Sequence, residues 1–162
     1  MSKPIKKIMV YIDGTEESIT AAQYAICLAS FSDVELIAHY VINTKAMEDL
    51  LKARIFLEAE QLEYEHDMGA DAERYLNYVN ELASAKGVTI TKKLSSGSVS
   101  REIVDSVRSE NVDLLVVGEL SHIRSRRDEF YDETERAMRS APCSVLIVKD
   151  PDMVAELYES LA

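Results

Sequence analysis

The stretch Val112-Asp113-Leu114-Leu115-Val116-Val117-Gly118 is apolar apart from Asp113 and ends on a glycine. It is too short for a buried helix and rich in aliphatic residues, the pattern of a strand covered on both faces. A glycine where such a strand ends leaves room for close approach of a ligand, and a helix that follows offers its N-terminal amides to an anion. The continuation is Gly118-Glu119-Leu120-Ser121-His122-Ile123-Arg124-Ser125-Arg126-Arg127-Asp128-Glu129-Phe130-Tyr131-Asp132. It has the frame of a phosphate-binding loop without further glycines.

Working outward, further strands are expected at 7–12, 34–42, 88–94 and 145–149, with 112–117 as the fourth in chain order. Between the first two, Thr15 is a candidate cap for a helix with Ile19, Ala22, Ile26 and Ala29 at helical spacing. A long helical pattern over 47–86 is interrupted near Gly69, carries Leu62, Ala72, Leu76, Val79 and Ala83 on one face, and stops at Gly87. Its first part, 47–56, reads equally well as a separate short helix or a flap. Ser98 is placed to cap a helix through Ile103, Val104 and Val107 that ends near Asn111. Asp132 with Glu135 has the capping-box spacing for a helix over 133–140, stopped by Pro142. This alternation predicts an α/β domain: a single open, mainly parallel five-stranded sheet with helices on both faces, Rossmann-like in kind. One domain is expected over 1–150. The extension 151–162, with Leu157 and Leu161, either caps an edge or frays.

Composition narrows the function. The chain has 162 residues, 47% of them hydrophobic, and no apolar run long enough to span a bilayer. Met1-Ser2-Lys3-Pro4 leads into the first strand without the pattern of a signal peptide, so a cytoplasmic protein with no membrane partner is expected. The net charge of −11 opposes non-specific nucleic-acid binding. Cys27 and Cys143 form no disulfide framework and read as inert thiols. His39, His66 and His122 lack ligand spacing, so no metal is expected. Glu58, Glu60, Glu63, Glu65, Asp67, Asp71 and Glu73 read as a solvated helix face. Ser98, Ser100 and Ser121 have no nucleophile elbow, and neither cysteine has an evident activating histidine, so no catalytic residue is assigned and no enzyme is expected.

In open α/β sheets the ligand crevice lies at the carboxyl ends of the strands. Asp13-Gly14-Thr15, Gly97-Ser98-Val99-Ser100 and the segment from Gly118 all leave such ends and are expected to converge. Asp13 has no obvious local partner, so its carboxylate is free to accept from a ribose or an adenine amine. The plainer reading makes Asp13 and Glu16 an acidic helix start.

The opening Lys7-Ile8-Met9-Val10-Tyr11-Ile12-Asp13-Gly14-Thr15-Glu16-Glu17-Ser18, the stretch 112–118 and the ending Ala141-Pro142-Cys143-Ser144-Val145-Leu146-Ile147-Val148 together resemble the universal stress protein family. The resemblance runs in order to about Asp150. It implies the fold above and a stress-response role. Its nucleotide-binding branch carries Gly-x-x-Gly, a fixed spacer, then Gly-Ser or Gly-Thr. On that frame Gly118 matches the first glycine, Ser121 stands at the second, and Tyr131 and Asp132 occupy the Gly-Ser pair. Asp13 and the backbone near Val41 match the adenosine-contacting positions.

Tyr131 fills space where the family has hydrogen, and Asp132 puts a carboxylate at the helix N-terminus that would receive a phosphate. Like charges about 4 Å apart repel by about 1–4 kcal/mol between bulk-water and surface-like dielectrics. The expectation is therefore a regulatory or interaction protein with no bound cofactor, not holding ATP in the usual phosphate mode. The alternative is a sensor of ATP, AMP or a cyclic nucleotide, with Mg where ATP binds, using Asp13 and the Gly118 loop. Arg124, Arg126 and Arg127 could serve it by folding over the phosphates, or simply form a solvated loop. The resemblance also implies a homodimer, formed here through the apolar edge strand 145–148, and an unidentified protein partner.

Overall fold

A computed structural model describes residues 4–52, 58–120 and 133–162. The elements in chain order are β1 (Lys7–Ile12), α1 (Glu16–Ser30), β2 (Glu35–Ile42), α2 (Thr44–Lys52), α3 (Glu58–Ser84), β3 (Ile90–Ser96), α4 (Val99–Ser109), β4 (Leu114–Gly118), α5 (Glu133–Ser140), β5 (Ser144–Val148) and α6 (Pro151–Ser160). The strands form one sheet in the order β3-β2-β1-β4-β5. All four pairings are parallel.

β1 shows why the sheet is buried on both sides. Ile8, Val10 and Ile12 join a cluster with Ala21, Ala22, Ala25 and Ile26 of α1, Leu76, Val79 and Ala83 of α3, and Val154 and Tyr158 of α6. The alternate residues Met9 and Tyr11 join Ile103 and Val107 of α4 and Ala137 of α5 on the opposite face. Right-handed crossovers on opposite sides of β1 produce this division, and strand order reverses between β1 and β4.

Local chemistry sets the element ends. Thr15 caps α1, its Oγ1 accepting from the Ser18 amide at 3.1 Å. α3 ends in a Schellman turn: Gly87 has φ +73°, its amide donates to the Ser84 carbonyl, and the Val88 amide donates to Ala83. Asn111, at φ 55°, plays the same part after α4.

Several expectations are corrected. α3 runs through Gly69 without a break, because one helical glycine costs only about 1 kcal/mol and the docked face of Ala72, Leu76, Val79 and Ala83 outweighs it. Leu62 leaves that face and is 69% exposed. The helical pattern ahead of α3 begins at Thr44, not at 47. β3 starts at Ile90 and is a half-exposed edge strand, with Lys92 and Lys93 on it. The carboxyl-terminal segment neither frays nor lies loose. Pro151 opens α6, Asp150 caps it through the Met153 amide, and buried Val154 and Tyr158 join the core. The Tyr158 hydroxyl donates to the Leu82 carbonyl at 2.7 Å, which ties α6 to α3.

Candidate functional site

The strand order brings Asp13 and Gly118 together at the switch point, in a crevice also lined by Tyr11, Glu17 and Glu119. Gly97, Ser98 and Ser100 do not converge there. β3 stands two strands from β1, and its loop lines a different groove beside α2. Val41, near the end of β2, is buried against the α4 face, so its side chain contributes nothing to the crevice. Ser121, Tyr131, Asp132 and the arginines 124, 126 and 127 lie outside the described residues.

Asp13 is not without a partner. Its Oδ1 accepts from the Thr15 amide at 3.0 Å and from the Thr15 hydroxyl at 2.6 Å. The Asp13 amide donates to Ser18 Oγ at 3.3 Å, and the Ser18 hydroxyl donates to the Thr15 carbonyl. The turn between β1 and α1 is thus held by its own side chains, the Asx-turn chemistry that aspartate favours. Gly14 within it has φ +83°, and a Cβ there would meet Tyr75 Cε2 at 2.7 Å. The Tyr75 ring stacks parallel to Tyr40 with centroids 6.3 Å apart, so α3 reaches over this loop. Burial raises the Tyr40 pKa, and the neighbouring Asp13 charge adds to the rise.

Gly118 has a purpose different from the one its position suggests. A Cβ on it would lie 2.5 Å from the Glu17 carbonyl oxygen and 2.6 Å from the Glu17 carbonyl carbon. The glycine is required because the end of β4 touches the first turn of α1. The crevice encloses about 70 Å3 among the described residues, against about 300–1,000 Å3 for ordinary small-molecule pockets. Its described lining carries three carboxylates, Asp13, Glu17 and Glu119, and no cation. Such a lining repels a phosphate.

Ser98 is the N-cap residue of α4, but its hydroxyl makes no capping bond. Glu133 of α5 does the capping: its Oε2 accepts from the Ser100 amide at 3.1 Å and from the Ser98 hydroxyl at 3.4 Å, and its Oε1 lies 3.5 Å from Arg136. Burial pushes the Glu133 pKa up, but hydrogen bonds from Ser100 and the charges of Arg136 and Lys45 outweigh it, so the net shift is downward. Sequence reasoning missed this contact because the two residues lie far apart in the chain. The only signal was an acid at the first turn of α5.

His39 is fully buried on β2, with Nε2 2.7 Å from Ser95 Oγ and Nδ1 without a partner among the described residues. Desolvation, with the Lys93 charge beside it, lowers its pKa to about 4. Cys27 is buried and Cys143 half-buried, and burial raises both thiols. Among the described residues no group of His, Cys, Asp and Glu could hold a metal, and no helix is long and apolar enough to cross a membrane.

A parallel sheet with this order and a switch point between β1 and β4 defines a Rossmann-like domain. Residues 4–149 match the model of the universal stress protein family, and the chain belongs to that family. It is 32% identical over 147 residues to the universal stress protein MJ0531 of Methanocaldococcus jannaschii, covering 90% of this chain and 83% of that protein. Among solved structures it resembles a universal stress protein family member from Burkholderia pseudomallei, with TM-score 0.70, 19% identity, and 93% and 100% of the two chains covered. It also resembles a universal stress protein in complex with cAMP, with TM-score 0.64, 23% identity, and 89% and 96% covered.

Proposed function

We propose that this chain acts as a non-enzymatic regulatory and interaction protein of the stress response, and that it does not hold ATP in the family's usual phosphate mode. The observation that carries this reading is the crevice at Gly118, narrow and lined by Asp13, Glu17 and Glu119 with no described cation. Gly118 being taken up by α1 supports the same reading. A cytoplasmic location, and the absence of nucleic-acid or membrane partners, agree with the acidic charge and belong to the proposal. Calorimetric titration of the dialysed protein with MgATP tests it, and no saturable heat is expected. Micromolar binding lost on Asp13→Ala would overturn it.

The working unit is a homodimer paired through β5. Its Ile147 is 38% exposed, and no lysine stands on this edge before Lys149, whereas the β3 edge carries Lys92 and Lys93. Light scattering should give twice the chain mass, and Ile147→Lys should return the monomer. A monomeric wild-type protein at micromolar concentration removes the dimer from the proposal.

A second reading, a sensor of AMP or a cyclic nucleotide through Asp13, the Val41 backbone and the Gly118 loop, is favoured by the position of Asp13 and Gly118 at the switch point. The cAMP complex of a relative with the same fold is consistent with it. Nucleotide released from freshly purified, heat-denatured protein would support this sensor over the first reading.

A further inference from the structure

A second concavity lies away from the switch point, between α2 and α4. It encloses about 690 Å3 among the described residues, within the usual range of about 300–1,000 Å3 for small-molecule sites. One wall is the stripe Arg101, Val104, Asp105 and Arg108 of α4, and Lys45 and Glu48 of α2 stand on the other side. Hydroxyls of Thr44, Ser98, Ser100 and Ser140 complete it, leaving Val104 as its only apolar described residue. An apolar ligand has almost nothing to touch there.

Among the described residues Lys6, Lys52, Lys86, Lys92 and Lys149, like the cations of this groove, form no ion pair, while others are committed to carboxylates. Lys7, Arg74, Lys93, Arg136 and Arg139 all stand in ion pairs with carboxylates. Lys45, Arg101 and Arg108 form no ion pair among the described residues, although Glu48 and Asp105 line the same groove. With Lys45, Arg101 and Arg108 against Glu48 and Asp105, the described lining carries a net positive charge in a chain of net charge −11, and Lys45 also acts on Glu133. Arginine forks suit a phosphate, which they grip through two parallel hydrogen bonds. Arg101 and Arg108 are about 10 Å apart along the helix axis, more than one phosphate spans, so only a ligand with a body beside its anionic end would reach both. Glu48 and Asp105 would repel a second phosphate but accept hydrogen bonds from hydroxyl groups. The α4 N-terminal amide of Ser100 is already taken by Glu133 and plays no part.

We infer that this groove is a binding site for a small polyhydroxylated monophosphate of the sugar-phosphate class. Arg101 and Lys45 take the phosphate, and Asp105, Glu48 and the hydroxyls of Thr44 and Ser140 read the body. The site shares no described residue with the crevice at Gly118, so it stands or falls independently of the nucleotide question.

The test is backbone-amide NMR of the full chain titrated separately with glucose 6-phosphate, glucose and inorganic phosphate. Saturable shifts over residues 97–108 and 44–48 with glucose 6-phosphate are expected, weaker ones with inorganic phosphate, and none with glucose. Arg101→Gln should weaken binding about tenfold or more, the scale of one charge-assisted contact. Arg139→Gln, on a cation paired elsewhere, should leave it unchanged. Absence of saturation at millimolar glucose 6-phosphate, shifts confined to residues 13–18 and 118–119, or indifference to Arg101→Gln would each overturn the site. Inorganic phosphate binding as tightly as glucose 6-phosphate would overturn the assignment of a hydroxyl-bearing body.

Discussion

Acidification from pH 7 to pH 5 should destabilise this protein through His39 before its carboxylates titrate. The buried imidazole has a pKa of about 4 against 6.5 for the free side chain. The unfolded chain therefore binds a proton that the folded chain refuses, and stability falls as pH drops below 6.5, levelling off below pH 4. Each unit of separation is worth about 1.4 kcal/mol, so the whole span amounts to about 3 kcal/mol, of which about 2 kcal/mol falls between pH 7 and pH 5. The groups facing the ring include Lys93, which opposes its protonation, and Glu110, which favours it less strongly. Relief of the overall negative charge acts the other way, but equally on wild type and variant. Urea unfolding followed by circular dichroism at pH 7, 6 and 5 should give a steeper loss for wild type than for His39→Gln, whose amide can still reach Ser95. Parallel pH profiles for the two proteins would show that burial of His39 carries no proton linkage, and the reasoning would fail.

Two glycines should respond in opposite directions. Gly118→Ala forces a Cβ to within 2.5 Å of the Glu17 carbonyl oxygen and should cost about 1–3 kcal/mol in urea unfolding, whereas Gly69→Ala, in open space within α3, should stabilise by up to about 1 kcal/mol. Glu133→Ala removes the cap of α4 and should cost about 1 kcal/mol at pH 7. Because the folded pKa of Glu133 is lowered, its contribution is present above about pH 4.5 and fades as pH falls, so the two unfolding curves should converge in acid.

The elements legible in the sequence are those whose signals are local. β1 came out at its observed bounds because Ile8-Met9-Val10-Tyr11-Ile12 is apolar on both faces, and α1 was marked by a side chain that caps its own turn. β3 was read two residues early because an edge strand alternates weakly and Val88 belongs to the turn closing α3. Leu62 was assigned to a buried face because periodicity shows that a face exists and not how far the partner surface extends. The convergence of Asp13 and Gly118 on one crevice was legible, but not its detail. Asp13 and Gly118 do meet, yet the partners that satisfy them, Thr15 and the Glu17 backbone, follow from the closeness of β4 to α1. Glu133 was invisible because its contact joins the first turns of two helices through space.

The two margins of the sheet are chemically unlike, and this bears on how far assembly can proceed. The β3 margin carries Lys92, bonded to Asn77, and Lys93, paired with Glu110, so the approach of another strand would strip charges of their solvent and partners. The β5 margin carries serine, valine, leucine and isoleucine. A sheet with one barred margin and one permissive margin can accept a single neighbour. If the proposed β5 dimer forms, accretion terminates in a closed two-fold pair and does not propagate into a fibre.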